Sequence, residues 1–218
     1  MQEKLRLSKS QGASTPAEFK RMQNIPYASA VGSIMYVVRC TRPDVAFAQN
    51  ITIRFQQNPS DLHQTTVKNI LKYLRNTKDM FLVYGGVVDW KSAKKSIFAT
   101  SSAEAEYIDA FDASKEVVWV RKFIYGLGIV PTIEEPIGMY CDNTGAITIA
   151  NESGITKGTR QFHAKVHYLR EVIEFGDIKL EKVHTDDNLA DSFTKALAFP
   201  KHSKHTRNIG MLPASGLM

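Results

Sequence analysis

Cysteine is scarce in this chain. Its 218 residues contain two, Cys40 and Cys141, far apart and without metal-ligand spacing. That leaves no disulfide framework and no thiolate metal site to read, and points to reduced thiols inside a cell, in cytoplasm or nucleus. Long apolar runs are also missing. No stretch approaches a membrane span, and the opening Met1-Gln2-Glu3-Lys4-Leu5-Arg6 lacks the apolar core of a signal peptide, so a soluble chain with no membrane partner is expected. Acidic residues are in deficit, 22 against 28 Lys and Arg, for a net charge of +6. Such a balance favours a polyanionic partner through counterion release from phosphates. With 43% hydrophobic and 23% charged residues the composition excludes a disordered chain and suffices for one sizeable core or two small ones.

The order of elements predicts an α/β protein preceded by a helical bundle. Residues 1–24 are polar and aperiodic, with Gly12, Ser14 and Pro16 as punctuation, and read as a linker. Over 25–79 three helices are expected. Tyr27 to Arg39 is apolar on nearly all sides; Asp44 to Phe55 repeats Val45, Ala48, Ile51 and Phe55; a third, after Asn58-Pro59-Ser60-Asp61, sets Val67, Ile70, Leu71 and Leu74 beside basic Lys68, Lys72 and Arg75. Met80 to Val88 and Ile97 to Thr100 read as short strands. A long helix follows from about Ser102 to Tyr125, with a serine cap and an acidic first turn. A strand at Ile137 to Cys141 runs into Asp142 and a short helix. Further expectations are a helix over Phe162 to Phe175, a half-buried strand at Ile178 to Val183, a short helix carrying Asp191, and a loose tail over 199–218.

Three acids stand where a scaffold aims side chains: Glu106 near a helix start, Asp142 at a strand end, and Asp191 on a late helix. Converging carboxylates repel one another unless cations neutralise them, and Mg²⁺ (or Mn²⁺) suits oxygen ligands shared with phosphates. Two such ions activate a water and stabilise the leaving oxygen of an in-line displacement. Each acid also has a plainer reading. Glu106 serves a helix dipole, Asp142 caps a helix, and Asp191 is a surface acid.

Ser101-Ser102-Ala103-Glu104-Ala105-Glu106-Tyr107, Met139-Tyr140-Cys141-Asp142-Asn143 and His184-Thr185-Asp186-Asp187-Asn188-Leu189-Ala190-Asp191 closely resemble the ribonuclease H end of Copia-type LTR retrotransposon Pol polyproteins. Tyr27 to Tyr36, Thr41-Arg42-Pro43-Asp44 and Ile70-Leu71-Lys72-Tyr73-Leu74 resemble the thumb-like segment after the reverse transcriptase palm of the same polyproteins. The resemblance implies a ribonuclease H-like mixed sheet with flanking helices over 80–198, and matches Glu106, Asp142 and Asp191 to the second, third and fourth acids of a two-ion site. It also makes His184 an auxiliary candidate for product release or proton transfer, and an RNA–DNA hybrid or other Pol segments the partners.

The resemblance also implies a gap. Where the family carries two strands and its first catalytic aspartate, Tyr84-Gly85-Gly86 here joins Val87-Val88-Asp89-Trp90-Lys91-Ser92 directly, as after an internal deletion. Asp89 matches a different position, and the only adjacent aspartates, Asp186-Asp187, lie in the wrong half for a polymerase palm. The leading expectation is a remnant with an incomplete sheet and little or no catalysis. An active Mg²⁺-dependent ribonuclease H, and a noncatalytic nucleic-acid-binding module using Lys68, Lys72 and Arg75 with the basic tail, are the two alternatives.

Overall fold

The computed structural model describes residues 7–83, 86–87, 89–90, 99–128, 135–151 and 163–216. The chain divides into two compact units. One comprises residues 1–94 together with 189–218, the other residues 95–188. Each has its own apolar core, and together they make a mixed α/β protein.

The first unit is helical. Its elements are α1 (Pro16–Gln23), α2 (Tyr27–Cys40), α3 (Ala46–Ile53) and α4 (Asp61–Asn76), then β1 (Met80–Leu82), and from the far end of the chain α8 (Asp191–Thr194), α9 (Phe199–Asn208) and β4 (Met211–Pro213). Helix α1 falls where the sequence reads as a linker. Thr15 caps it by accepting the Glu18 N–H, the Glu18 carboxylate returns to the Thr15 N–H at 3.1 Å, and Pro16 fits the first turn, where no N–H is needed. Val31, Ile34 and Val38 of α2 meet Val67 and Ile70 of α4 in the core, and the buried Tyr27 hydroxyl donates to the Thr52 carbonyl at 2.8 Å, which ties α2 to α3.

A polar clamp closes the bundle. Arg42 grips Asp44 with two hydrogen bonds, at 2.9 and 2.7 Å, and reaches the Thr77 carbonyl and hydroxyl at 3.1 and 2.7 Å. Tyr73 donates to Asp44 at 2.8 Å, and the His202 ring nitrogen sits 2.9 Å from the Asp44 carbonyl. Both charges are buried, so the bidentate geometry and added hydrogen bonds are what make the pair tolerable. The Thr41-Arg42-Pro43-Asp44 motif is thereby architectural.

The expected loose tail is ordered. β4 pairs antiparallel with β1, Met80 opposite Pro213 and Leu82 opposite Met211, and Ile209 and Met211 enter the first unit's core. Apolar side chains at 209 and 211 outweigh the basic, glycine- and proline-rich composition that suggested a free end. Gly210 adopts φ +92, and a Cβ there would lie 2.6 Å from the Gly86 Cα. Only glycine permits that approach. Met80–Leu82, with Gly86 and Val87, therefore packs with the bundle. Of the expected strand at Ile97 to Thr100, Ile97 and Phe98 lie outside the described residues, and Ala99 and Thr100 are not in a strand.

The second unit holds α5 (Ser102–Gly126), β2 (Ile137–Cys141), α6 (Thr144–Asn151), α7 (His163–Glu174) and β3 (Ile178–Lys182). β2 and β3 pair in parallel, Ile137 opposite Ile178 and Cys141 opposite Lys182, and the connection through α6 and α7 is the crossover that parallel pairing requires. Tyr107, Val118, Cys141, Ala146, Val166, Leu169 and Ile178 form the core. Buried hydrogen bonds lock the helices. The Tyr107 hydroxyl donates to the Val166 carbonyl at 3.2 Å, and Arg170 donates to the Ile149 carbonyl at 2.7 and 3.1 Å. Burial pushes the Tyr107 phenol up to about 12, so it stays a donor. Among the described residues this sheet has two strands.

Candidate acidic site

Glu106 and Asp142 share the second unit. β2 ends at Cys141 and delivers Asp142 immediately beyond it, half-buried; Glu106 stands half-buried in the second turn of α5. Both exert their charge on one atom. The Cys141 thiol is pushed above its ordinary value first by burial, then by the negative charges of Glu106 and Asp142, with a backbone hydrogen bond of Asn143 and the charge of Lys182 pulling the other way. The structure thus brings two of the three acids to the same end of the strand pair.

Neighbouring residues take the capping bonds at both helix starts. At the start of α5 the Ser101 hydroxyl accepts the Glu104 N–H at 3.2 Å, and the Glu104 carboxylate takes the Thr100 N–H and hydroxyl at 2.7 and 2.6 Å. Those bonds hold Glu104 below the usual carboxylate value, so Glu104 serves the helix terminus. At α6 it is Asn143, not Asp142, that caps, its side-chain oxygen accepting the Ala146 N–H at 3.2 Å.

Lys182 is a member that the sequence did not reveal. Parallel register sets it opposite Cys141, and its ammonium donates to the Asp142 carbonyl oxygen. A positive charge at this spot offsets the two carboxylates. Finding it requires the strand register, which no local pattern announces.

Asp191 belongs to the first unit. It opens α8, is buried, and its carboxylate meets Lys195 at 2.7 Å and Lys201 at 3.7 Å. Two lysines satisfy the charge that burial would otherwise penalise. Asp89 also lies in the first unit, exposed, with its carboxylate accepting the Trp90 N–H at 2.8 Å. His184 is exposed, its Nδ1 accepting the Asp186 N–H at 3.2 Å, in the manner of a solvated turn. Among the described residues no group of three or more His, Cys, Asp and Glu side chains is placed to hold a metal ion. Oxygen donors such as Glu106 and Asp142 suit Mg²⁺, but two half-buried carboxylates beside a lysine do not make the donor set of a two-ion centre.

Lys68, Lys72 and Arg75 are exposed on α4, at the i, i+4, i+7 spacing that aligns them on one helical face. No helix among the described residues is long and apolar enough to cross a membrane.

No family model matches the chain, and no solved structure matches it. Among curated proteins it is 32% identical to the retrovirus-related Pol polyprotein from transposon TNT 1-94 of Nicotiana tabacum, over 240 aligned positions that cover 95% of this chain and 18% of that protein. It is 27% identical to the corresponding polyprotein from transposon RE2 of Arabidopsis thaliana, over 220 positions covering 85% of the chain and 15% of the relative. A third relative is the secreted RxLR effector protein 161 of Plasmopara viticola, 32% identical over 133 positions that cover 45% of the chain and 94% of that protein. The chain spans less than a fifth of the length of the two polyproteins. Its homologues are Copia-type retrovirus-related Pol polyproteins, and it is a retroelement-derived protein.

Proposed function

We propose that the chain is a remnant of the reverse transcriptase and ribonuclease H region of a Copia-type Pol polyprotein, with an internal deletion and little or no nuclease activity. The observation that carries the reading is the state of Asp191, buried and held by Lys195 at 2.7 Å and Lys201 at 3.7 Å. A carboxylate neutralised by two ammonium groups is a poor ligand for a cation.

The lengths of the matches support a deletion. The tobacco match runs over 240 positions while covering 95% of 218 residues, about 207, which leaves about 33 positions where the relative has a residue and this chain has none. The same subtraction leaves about 35 for the Arabidopsis relative (220 positions, about 185 residues) and about 35 for the Plasmopara one (133 positions, about 98 residues). Near-equal shortfalls against three relatives fit one missing segment. The Plasmopara match also spans 94% of that protein, so a piece of comparable extent stands elsewhere as a protein in its own right.

A second reading, noncatalytic binding of nucleic acid, draws on the exposed Lys68, Lys72 and Arg75 face, because phosphate contacts depend on distributed charge and not on a complete site. The test is an RNA–DNA hybrid cleavage assay with Mg²⁺ or Mn²⁺. No cleavage above that of an Asp142→Asn variant is expected. Cleavage that Asp142→Asn abolishes would sink the reading, and salt-dependent hybrid binding without cleavage would favour the second one.

A further inference from the structure

The first unit is closed by a segment that returns to it after another folded body. Residues 95–188, a compact unit with its own core, separate helices α1 to α4 from residues 189–218, which bring α8, α9 and β4. The hold of this segment on the bundle is specific to its sequence. Met211 opposes Leu82, Leu212 opposes Phe81 and Pro213 opposes Met80. The ladder continues on both sides: the Val83 N–H donates to the Gly210 carbonyl, the Val87 N–H to the Ile209 carbonyl and the Ala214 N–H to the Asp79 carbonyl, each at 2.9 Å. Ile209 and Met211 are 3% and 1% exposed and share one core with Val31, Ile34 and Ile70. Gly210 meets Gly86 backbone to backbone, and the His202 ring reaches the Asp44 carbonyl. The bundle is thus a receptor shaped for one strand-and-helix ligand, whose register is set by three residue pairs and one glycine contact.

What keeps that ligand on its own bundle is the covalent path through the second unit. From β3 to α8 this path runs through His184, Thr185, Asp186 and Asp187, all exposed, in a turn where the Asp187 N–H donates to the His184 carbonyl at 2.9 Å. Residues 189–218 make the same contacts with the bundle of their own chain or of another. The two arrangements therefore differ chiefly by the effective concentration that the tether supplies, on the order of mM even for a short flexible one. We propose that the first unit takes up residues 189–218 of a second copy of this chain, so that two copies close each other's bundles reciprocally in a two-fold, segment-exchanged dimer. The partner is a second copy because the ladder, the burial of Ile209 and Met211 and the Gly86–Gly210 approach select this sequence.

The test uses two full-length chains, both with Cys40→Ser to remove the exposed thiol, one with Phe81→Cys and the other with Leu212→Cys. Positions 81 and 212 are direct cross-strand neighbours within disulfide reach, and Phe81 is 51% exposed, so its replacement removes little packing. The chains are unfolded together, refolded at concentrations from about 1 µM to about 1 mM, the upper end matching the effective concentration of a tether, and oxidised. A disulfide joining the two different chains is expected, rising with concentration. It should exceed the disulfide between like chains by about tenfold or more, because the geometry of the bond confines it to paired positions. Sedimentation of the unsubstituted chain, refolded over the same range, should show dimer at the upper end. A disulfide between unlike chains no more abundant than that between like ones, or one that does not rise with concentration, overturns the proposal. So does an unsubstituted chain that is monomeric throughout.

Discussion

His63 is wholly buried, its ring stacked on Phe55 at 4.1 Å between centroids, with Nδ1 accepting the Ser60 N–H at 3.0 Å. Burial pulls its pKa below the ordinary 6.5, so the folded state holds the ring neutral. The unfolded chain binds the proton first as pH falls. Stability that is full above 6.5 is therefore lost as pH drops through that value toward the depressed folded one. Thermal melts between pH 7 and pH 5 should show a falling midpoint, with a shallower fall in His63→Gln; equal slopes would remove His63 from the account. Residue by residue, the acids show what the sequence could tell. The Ser101 and Glu104 cap was readable because its partners lie within four residues. Asp191 read as a ligand because its lysine partners, four and ten residues on, become a cage only once α8 and α9 fold.

At the scale of elements, helices α2, α4, α5 and α7 and strands β2 and β3 fall close to where hydrophobic period and capping residues place them. Helix α1 carried a legible signature in Thr15-Pro16-Ala17-Glu18, a capping box with proline in the first turn, overridden by the polarity of its surroundings. The pairing of β1 with β4 was not legible. Strands separated by more than a hundred residues are joined by burial of Met211 and by a backbone approach that glycine alone allows. Gly210→Ala puts a Cβ into that approach at a positive φ. Destabilisation of about 1–3 kcal/mol is expected in chemical denaturation, against little change for alanine at Gly138, where a Cβ meets open space.

Across the whole molecule, the two units draw on the sequence differently. The second is continuous, residues 95–188, while the first is assembled from both ends of the chain. This organisation departs from the expected boundaries at 79 and 198, because composition marks segments and not which of them share a core. Removing residues 199–218 takes Ile209 and Met211 from the first core and the His202 contact from Asp44. Amide protection in α2 and α4 should then collapse while that in α5 and α7 persists, a contrast that hydrogen exchange reads directly. Loss of protection everywhere would show that the units do not fold separately.

The β1–β4 pairing also sets an order of events during synthesis. A ribosome makes Met80–Leu82 early but Met211–Pro213 only after every residue of 95–188 has been translated. The nascent bundle must wait, one strand unmatched, while the segment made in between is free to fold first. Loop closure over such a span is slow relative to local helix formation, so chaperone contact on the growing polypeptide should concentrate on α2 to α4, made before the second unit and completed after it.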